Sequence, residues 1–321
     1  MADMKKSMAI FSGSTFPELS QEIAECLGTE LGKVRLERFA NGEIYARYEQ
    51  SVRGADVFLI QSVKDGKVND ALMELLIMTD AAKRASARTV TAVIPFYVYS
   101  RQDRKAASRE PITAKLVANL MEAAGVDRTI TIDLHQGQIQ GFFNTPVNHL
   151  TAMPILEEYF AKKDMGEGQL CIVSPDVGRA KAAKKFSDDM DADLAIMHKG
   201  RPGHNKAVIT ALIGDVTDKI CILNDDMIDT AGSVVAAAET LKAKGAKKVY
   251  VCATHPVFSG PAYERLEGAP VEEVVVTNTI PVAEGHQNGK IKVLSVAPLL
   301  ASAIQRVFTN ESVSALGDAE L

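Results

Sequence analysis

The segment from Ile222 to Ser233, "ILNDDMIDTAGS", sets three carboxylates, Asp225, Asp226 and Asp229, against a turn of small residues, Thr230, Ala231, Gly232 and Ser233. A strand that delivers such a turn to the start of an alanine-rich helix aims successive backbone N–H groups, helped by two hydroxyls, at one point, and an anion fits there. The acids would repel that anion unless they bind something else. Sugar hydroxyls and a hard cation such as Mg²⁺ both suit carboxylates, so a phosphorylated sugar satisfies both halves of the motif. The competing reading is a strand end furnished with Asx-turn and helix-cap residues. The succession of strand, acids, small turn and helix favours the functional one.

Other phosphate motifs are missing. No GxGxxG occurs, and "GTELGK" at Gly28 to Lys33 has three residues between its glycines where a Walker A loop has four. The segment "HKGRPGHN", residues 198 to 205, carries Lys199 and Arg201 among glycines and a proline and reads as an exposed mobile loop. Taken alone it could equally be a solvated basic turn. Cys26, Cys171, Cys221 and Cys252 form no CxxC pair, which argues against a zinc site or a disulfide framework and predicts buried thiols.

The elements that must position these residues follow from periodicity. Short β-rich runs ("SMAIFSG", "KVRLERF", "DVFLIQS", "TVTAVIPFY", "TITIDLH", "LCIVSPD", "LAIMHK", "KICILND", "KVYVCATH", "EVVVTN") alternate with helical patterns near residues 17–31, 70–84, 111–124, 153–162, 178–190 and 231–244. This alternation predicts an α/β protein with mainly parallel sheets flanked by helices. There are too many strands for one simple sheet, and 321 residues exceed what a single core holds, so two domains are expected. The stretch from 142 to 154 has no clear period and carries two prolines, which places the boundary near residue 150, with domains over 1–150 and 151–301.

With 46% hydrophobic and 24% charged residues the composition is that of a soluble globular protein. No apolar run approaches the ~20 residues of a membrane span, and the amino end is too short in apolar residues for a signal peptide. A cytoplasmic location is expected. A net charge of −5 disfavours general nucleic-acid binding, which needs a basic surface.

"ILNDDMIDTAGS" resembles the phosphoribosyl-diphosphate motif shared by type I phosphoribosyltransferases and ribose-phosphate diphosphokinases. The segments "FSGSTFPEL", "RFANGEIYARYEQSVRGADVFLIQS", "IPFYVYSRQDRK", "SREPITAKLVANL", "IDLHQGQIQGFF", "VSPDVGR", "ATHPVFSGPA" and "ESVSAL" are similar to segments of the diphosphokinases, in that family's order and over nearly the whole chain. The resemblance implies two phosphoribosyltransferase-type α/β domains, with residues from about 302 to 321 packing back on the first. It also implies synthesis of 5-phosphoribosyl 1-diphosphate and AMP from ATP and ribose 5-phosphate, with Mg²⁺ as cofactor, and assembly as a homohexamer.

Residue by residue, the resemblance assigns the 5-phosphate of the sugar to Thr230, Ala231, Gly232 and Ser233, beside Asp229, and its hydroxyls to Asp225 and Asp226. An ATP site shared between subunits would use Phe39, Asn41 and Glu43 of "FANGE", Arg101 and Gln102 of "SRQDRK", and His135. His135 and Asp176 would serve Mg²⁺, while Lys199 and Arg201 would close over the reacting diphosphate. Ser51, Arg53, Ser108, Arg109, Ser312 and Ser314 match positions that bind phosphate and ADP as effectors. His149, His204 and His286 read as structural, and His255 as a packing residue or one that supports a ligand-binding neighbour. Departures are Asn41 where many members have aspartate, Arg179 after Gly178 where many have a second glycine, and Ala107 in place of a basic residue found in some. The alternatives are a type I phosphoribosyltransferase and a non-catalytic regulatory subunit.

Overall fold

The run Asp56–Ile60 is buried at all five positions, as expected of a parallel strand covered on both faces. The computed structural model describes residues 7–64, 66–200, 208–286 and 289–316. It divides into two units, one running to Thr151 with Thr279–Pro281 and the segment from Val296 onward, the other comprising Ala152–Asn278 and Val282–Ser295.

The first unit contains β1 (Met8–Ser12), α1 (Pro17–Cys26), β2 (Val34–Arg38), β3 (Ile44–Tyr48), β4 (Asp56–Ile60), α2 (Val68–Arg84), β5 (Thr89–Val93), α3 (Thr113–Ala124), β6 (Arg128–Ile132) and β7 (Val147–Leu150). Strands β1, β4, β5, β6 and β7 form a parallel sheet in that order, and β2 with β3 makes a separate antiparallel hairpin. Two expectations need correction here. The stretch 142–154 holds β7, which at four residues is too short to display a period of two. Helix α1 stops at Cys26 instead of reaching residue 31, because Gly28 takes a left-handed φ of 65° two residues later. The same ending leaves Cys26 exposed, whereas the other three thiols are buried.

The second unit contains α4 (Met153–Lys162), β8 (Leu170–Ser174), α5 (Ala180–Asp189), β9 (Asp193–Gly200), β10 (Val208–Ile213), β11 (Ile220–Ile228), α6 (Gly232–Ala243), β12 (Lys248–Pro256), α7 (Ala262–Gly268), β13 (Glu273–Thr277) and β14 (Ile291–Leu294). Its sheet has the order β10-β9-β8-β11-β12-β13-β14, parallel except for β9 with β10. Alternation along β11 sends Cys221 and Leu223 to a core with Val234, Ala237 and Leu241 of α6, and Ile220 and Ile222 to a core with Leu156 and Phe160 of α4 and Phe186 of α5. Helix α8 (Ala297–Thr309) belongs to the first unit and packs on α1. Both sheets are mainly parallel and carry helices, the α/β class read from the sequence. No helix among the described residues is long and apolar enough to cross a membrane.

Candidate active site

In the second unit the strand order reverses between β8 and β11. From β8 the chain moves to β9 on one side, and from β11 to β12 on the other. In open α/β sheets the crevice at the carboxyl ends of strands flanking such a reversal is where ligands bind. Pairing of β11 with β8 runs only to Leu223, while its pairing with β12 continues to Ile228. The acidic end of β11 therefore extends beyond its paired length with β8, at the reversal.

Asp226 is buried, and Asp225 is a half-buried residue whose carboxyl lies inside the protein. The Asp225 carboxylate accepts the backbone N–H of Asp226 at 2.9 Å. Burial first, and then the neighbouring Asp226, push the Asp225 carboxyl up to about 8; the Arg179 guanidinium opposes the shift. Next to this pair Asn224 is 1% exposed and donates to the Cys252 sulfur at 3.3 Å. Its Oδ1 and the Nε of Arg179 are buried without a hydrogen-bond partner among the described residues.

Beyond the acids the backbone turns sharply. Ala231 takes a left-handed φ of 61° and α6 begins at Gly232, so the turn of small residues opens the helix as its composition predicts. The loop after β12 fixes this turn from the side: Phe258 and Ser259 donate backbone N–H groups to the carbonyls of Ile228 and Asp229, each at 3.0 Å. Phe258 itself adopts a φ of 46°, an uncommon conformation for an aromatic residue and one held by those bonds. Arg265 of α7 donates through Nη1 to the Thr230 carbonyl at 3.0 Å.

Asp176 lies just past β8, across the reversal from Asp225. Its side chain accepts the Arg179 backbone N–H at 3.2 Å, and Ser174 Oγ donates to its carbonyl at 2.7 Å. Among the described residues no cluster of three or more His, Cys, Asp or Glu side chains could hold a metal by itself. The expected mobile loop at 198–205 is corrected in part: His198, Lys199 and Gly200 continue β9, with Lys199 paired to Ile209 in an antiparallel hairpin. The Lys199 side chain, Arg201 and His204 lie outside the described residues.

The first unit carries the positions matched to nucleotide binding. Phe39, Asn41 and Glu43 form the tip between β2 and β3, closed by Phe39 N–H to the Glu43 carbonyl at 2.9 Å and Gly42 N–H to the Phe39 carbonyl at 2.8 Å. Asn41 Nδ2 donates to Glu43 Oε2 at 2.8 Å, and the Phe39 side chain is 54% exposed, an unusual placement for a large apolar ring. Arg101 and Gln102 follow Tyr99, whose φ is 60°. The Gln102 carbonyl and side chain accept from Ala114 N–H at 3.1 Å and the Thr113 hydroxyl at 2.5 Å, tying this turn to the start of α3.

His135 is half-buried in the loop after β6. That loop is positioned by His149, whose Nε2 accepts the Leu134 N–H at 2.8 Å. His149 thus has a positioning duty that its sequence context, a lone histidine in a short edge strand, did not reveal. Arg265 was missed as well, because nothing in "PAYERLEG" marks which helix residue faces the turn.

The positions matched to effector binding sit in local turns of the first unit. Ser51 Oγ accepts the Arg53 N–H at 3.4 Å. The Ser312 and Ser314 hydroxyls are 2.6 Å apart, and Arg306 donates to the Ser312 carbonyl at 2.8 Å. Between Ala106 and Arg109, which has a φ of 69°, the N–H groups of Ala106 and Ala107 both donate to Glu110 Oε2 at 2.8 Å.

Residues 8–125 match the family model described as the N-terminal domain of ribose phosphate pyrophosphokinase, and residues 200–317 the phosphoribosyl synthetase-associated domain. The chain is 52% identical to the ribose-phosphate pyrophosphokinase of Clostridium perfringens over 98% of this chain and 99% of that one. It is 54% identical to that of Caldanaerobacter subterraneus, again over 98% and 99%. The crystal structure of phosphoribosylpyrophosphate synthetase from Mycobacterium smegmatis, 45% identical, superposes with a TM-score of 0.90 over 95% of this chain and 100% of that one. Near-complete coverage in both directions, at about half identity and on the same fold, means that the chain belongs to the ribose-phosphate pyrophosphokinase family.

Proposed function

We propose that this protein transfers the β,γ-diphosphoryl group of ATP to the 1-hydroxyl of ribose 5-phosphate, giving 5-phosphoribosyl 1-diphosphate and AMP. The observation that carries this reading is the end of β11, where two consecutive carboxylates at the sheet's reversal lead into a left-handed turn that opens α6. The turn would hold the 5-phosphate on Thr230, Ala231, Gly232 and Ser233, and Asp225, Asp226 and Asp229 would take the sugar hydroxyls. With Asp225 pushed up to about 8, its carboxyl keeps its proton at neutral pH, so the pair can donate as well as accept hydrogen bonds from those hydroxyls.

For the nucleotide, the exposed ring of Phe39 can cover a purine face and Glu43 can accept from its amino group; Asn41 holds Glu43 in place. Arg101, Gln102 and His135 are proposed to contact the phosphates, and Asp176 with His135 to serve Mg²⁺. When bound, Mg²⁺ would offset the charge of the phosphate oxygens. The 1-hydroxyl attacks the β-phosphorus in line with the departing AMP oxygen, and its proton passes to solvent, since no general base is identified. Positioning and charge neutralisation then dominate the rate, with Lys199 and Arg201 as the proposed neutralising cations.

Assembly as a homohexamer and a cytoplasmic location complete the proposal, with phosphate and ADP as at most weak effectors. Relatives that carry the pyrophosphokinase name over their whole length favour this reading over a type I phosphoribosyltransferase or a regulatory subunit. The test is an assay with purified protein, ATP, Mg²⁺ and ribose 5-phosphate that measures AMP and the diphosphorylated sugar together. Formation of ADP in place of AMP would overturn it.

A further inference from the structure

Arg265 stands out among the charged side chains around the turn. It projects from α7 onto the start of α6, where Nη1 lies 3.0 Å from the Thr230 carbonyl. A Cβ added to Gly232 would come within 3.2 Å of the same nitrogen, so the guanidinium lies directly against the first residue of the helix. Arg265 is exposed, so water can reach its remaining N–H groups; among the described residues it makes no salt bridge, and the Thr230 carbonyl is its one hydrogen-bond acceptor. A cation at this place opposes the helix dipole, whose positive end is the N-terminus of the 12-residue α6. One donated bond to a neutral carbonyl uses a single N–H of the five that a guanidinium offers. An anion seated on the turn removes the conflict, because it is attracted by the helix terminus and by the arginine together.

We infer that Arg265 is a substrate-binding residue, its guanidinium supplying the cationic half of the site that receives the sugar's 5-phosphate on Thr230 to Ser233. The inference rests on the reading of that turn as the sugar-phosphate site. The Thr230 bond holds the planar fork in position before substrate arrives, and the remaining N–H groups reach phosphate oxygens in the paired geometry that arginine favours. Asp225 and Asp226 select for hydroxyls; Arg265 selects for a phosphorylated sugar over a free one.

The test compares the parent with R265Q, which keeps an N–H donor for the Thr230 carbonyl but no charge, and with R265K, which keeps the charge without the fork. Apparent KM is measured for ribose 5-phosphate and for ATP, ribose 5-phosphate binding is titrated by calorimetry, and thermal unfolding verifies the fold. R265Q is expected to weaken ribose 5-phosphate by about 10- to 100-fold, the range for a charged hydrogen bond, while KM for ATP stays within about 2-fold. R265K should recover part of the loss. Parent-like ribose 5-phosphate binding by a folded R265Q overturns the role of Arg265 and leaves the site reading standing. Equal weakening of sugar and ATP with a lowered Tm also overturns it, since Arg265 would then merely brace the turn. A parent that binds no ribose 5-phosphate overturns the site reading and this inference with it.

Discussion

Asp225 and Asp226 are consecutive on one strand, yet the first accepts the backbone N–H of the second at 2.9 Å, and both carboxyls are withdrawn from water at the end of β11. A pair so placed cannot hold two charges cheaply until a ligand arrives.

A pH dependence of stability follows. The Asp225 carboxyl moves from an ordinary 3.8 up to about 8 in the folded protein. Between those values the native state binds more protons than the unfolded chain, so this residue's contribution to stability falls as pH rises from about 4 to about 8 and is level above that. Asp225→Asn removes the burden. Thermal unfolding without ligand should show the variant gaining Tm over the parent, with a larger gain at pH 8.5 than at pH 5. An equal offset at both pH values would mean that the carboxyl is not held protonated.

Gly232→Val tests the turn. Gly232 has no left-handed backbone to strain, and an added Cβ meets the Arg265 guanidinium at 3.2 Å, tight enough to displace a flexible arginine but not the fold. The branched side chain would then fill the concavity of the turn. The apparent KM for ribose 5-phosphate should rise at least ~10-fold and that for ATP should change little, the pattern of lost ground-state binding of one substrate. An unchanged sugar constant in a folded variant would count against the site.

Most elements were legible from the sequence, the short edge strand β1 and the hairpin strand β2 among them, but a few short strands were not. The helical spacing at 153–162 coincides with α4, and the apolar runs at 56–60 and 220–223 coincide with central strands, because burial on both faces leaves a continuous hydrophobic signature. β3, β7 and β14 are flank or edge strands of four or five residues in which polar residues interrupt the apolar ones, and β10, VITALI, is an apolar run that was passed over. Within the site, the acids and the small turn could be read because they are contiguous. Arg265 and His149 could not, since each reaches its partner through tertiary contact across 35 and 15 residues of chain.

Control by anions is expected to be weak. The resemblance leads to the expectation of a basic residue where Ala107 stands, and the two N–H groups of Ala106 and Ala107 are already occupied by Glu110 Oε2 at 2.8 Å. A built-in carboxylate thus takes the place where successive backbone N–H groups could receive a phosphate. Titrating phosphate, and then ADP at saturating ATP, should show little activation and no cooperative inhibition in the parent, and a gained phosphate response in Glu110→Ala. Strong phosphate activation of the parent with non-competitive ADP inhibition would show that the carboxylate is no obstacle.

Lys199 and Arg201 are expected to act mainly in the transition state. Lys199 is the penultimate residue of strand β9, with Ile209 opposite it on β10, so its Cα is carried on a paired strand while Arg201 follows that strand in the sequence. A cation so mounted can approach as charge shifts onto the departing AMP oxygen without being needed when substrates enter. Removing one preorganised charge donor from a reacting centre typically lowers the rate by ~10²–10³, about 3–4 kcal/mol. Lys199→Ala should therefore lose at least that much turnover with modest changes in either KM. Arg201→Ala should behave alike, and the double variant should lose less than the product of the two, because both charges serve one closed state. If Lys199→Ala folds normally and turns over near the parent rate, the hairpin end is a solvated surface feature, and charge neutralisation at the leaving group must come from elsewhere.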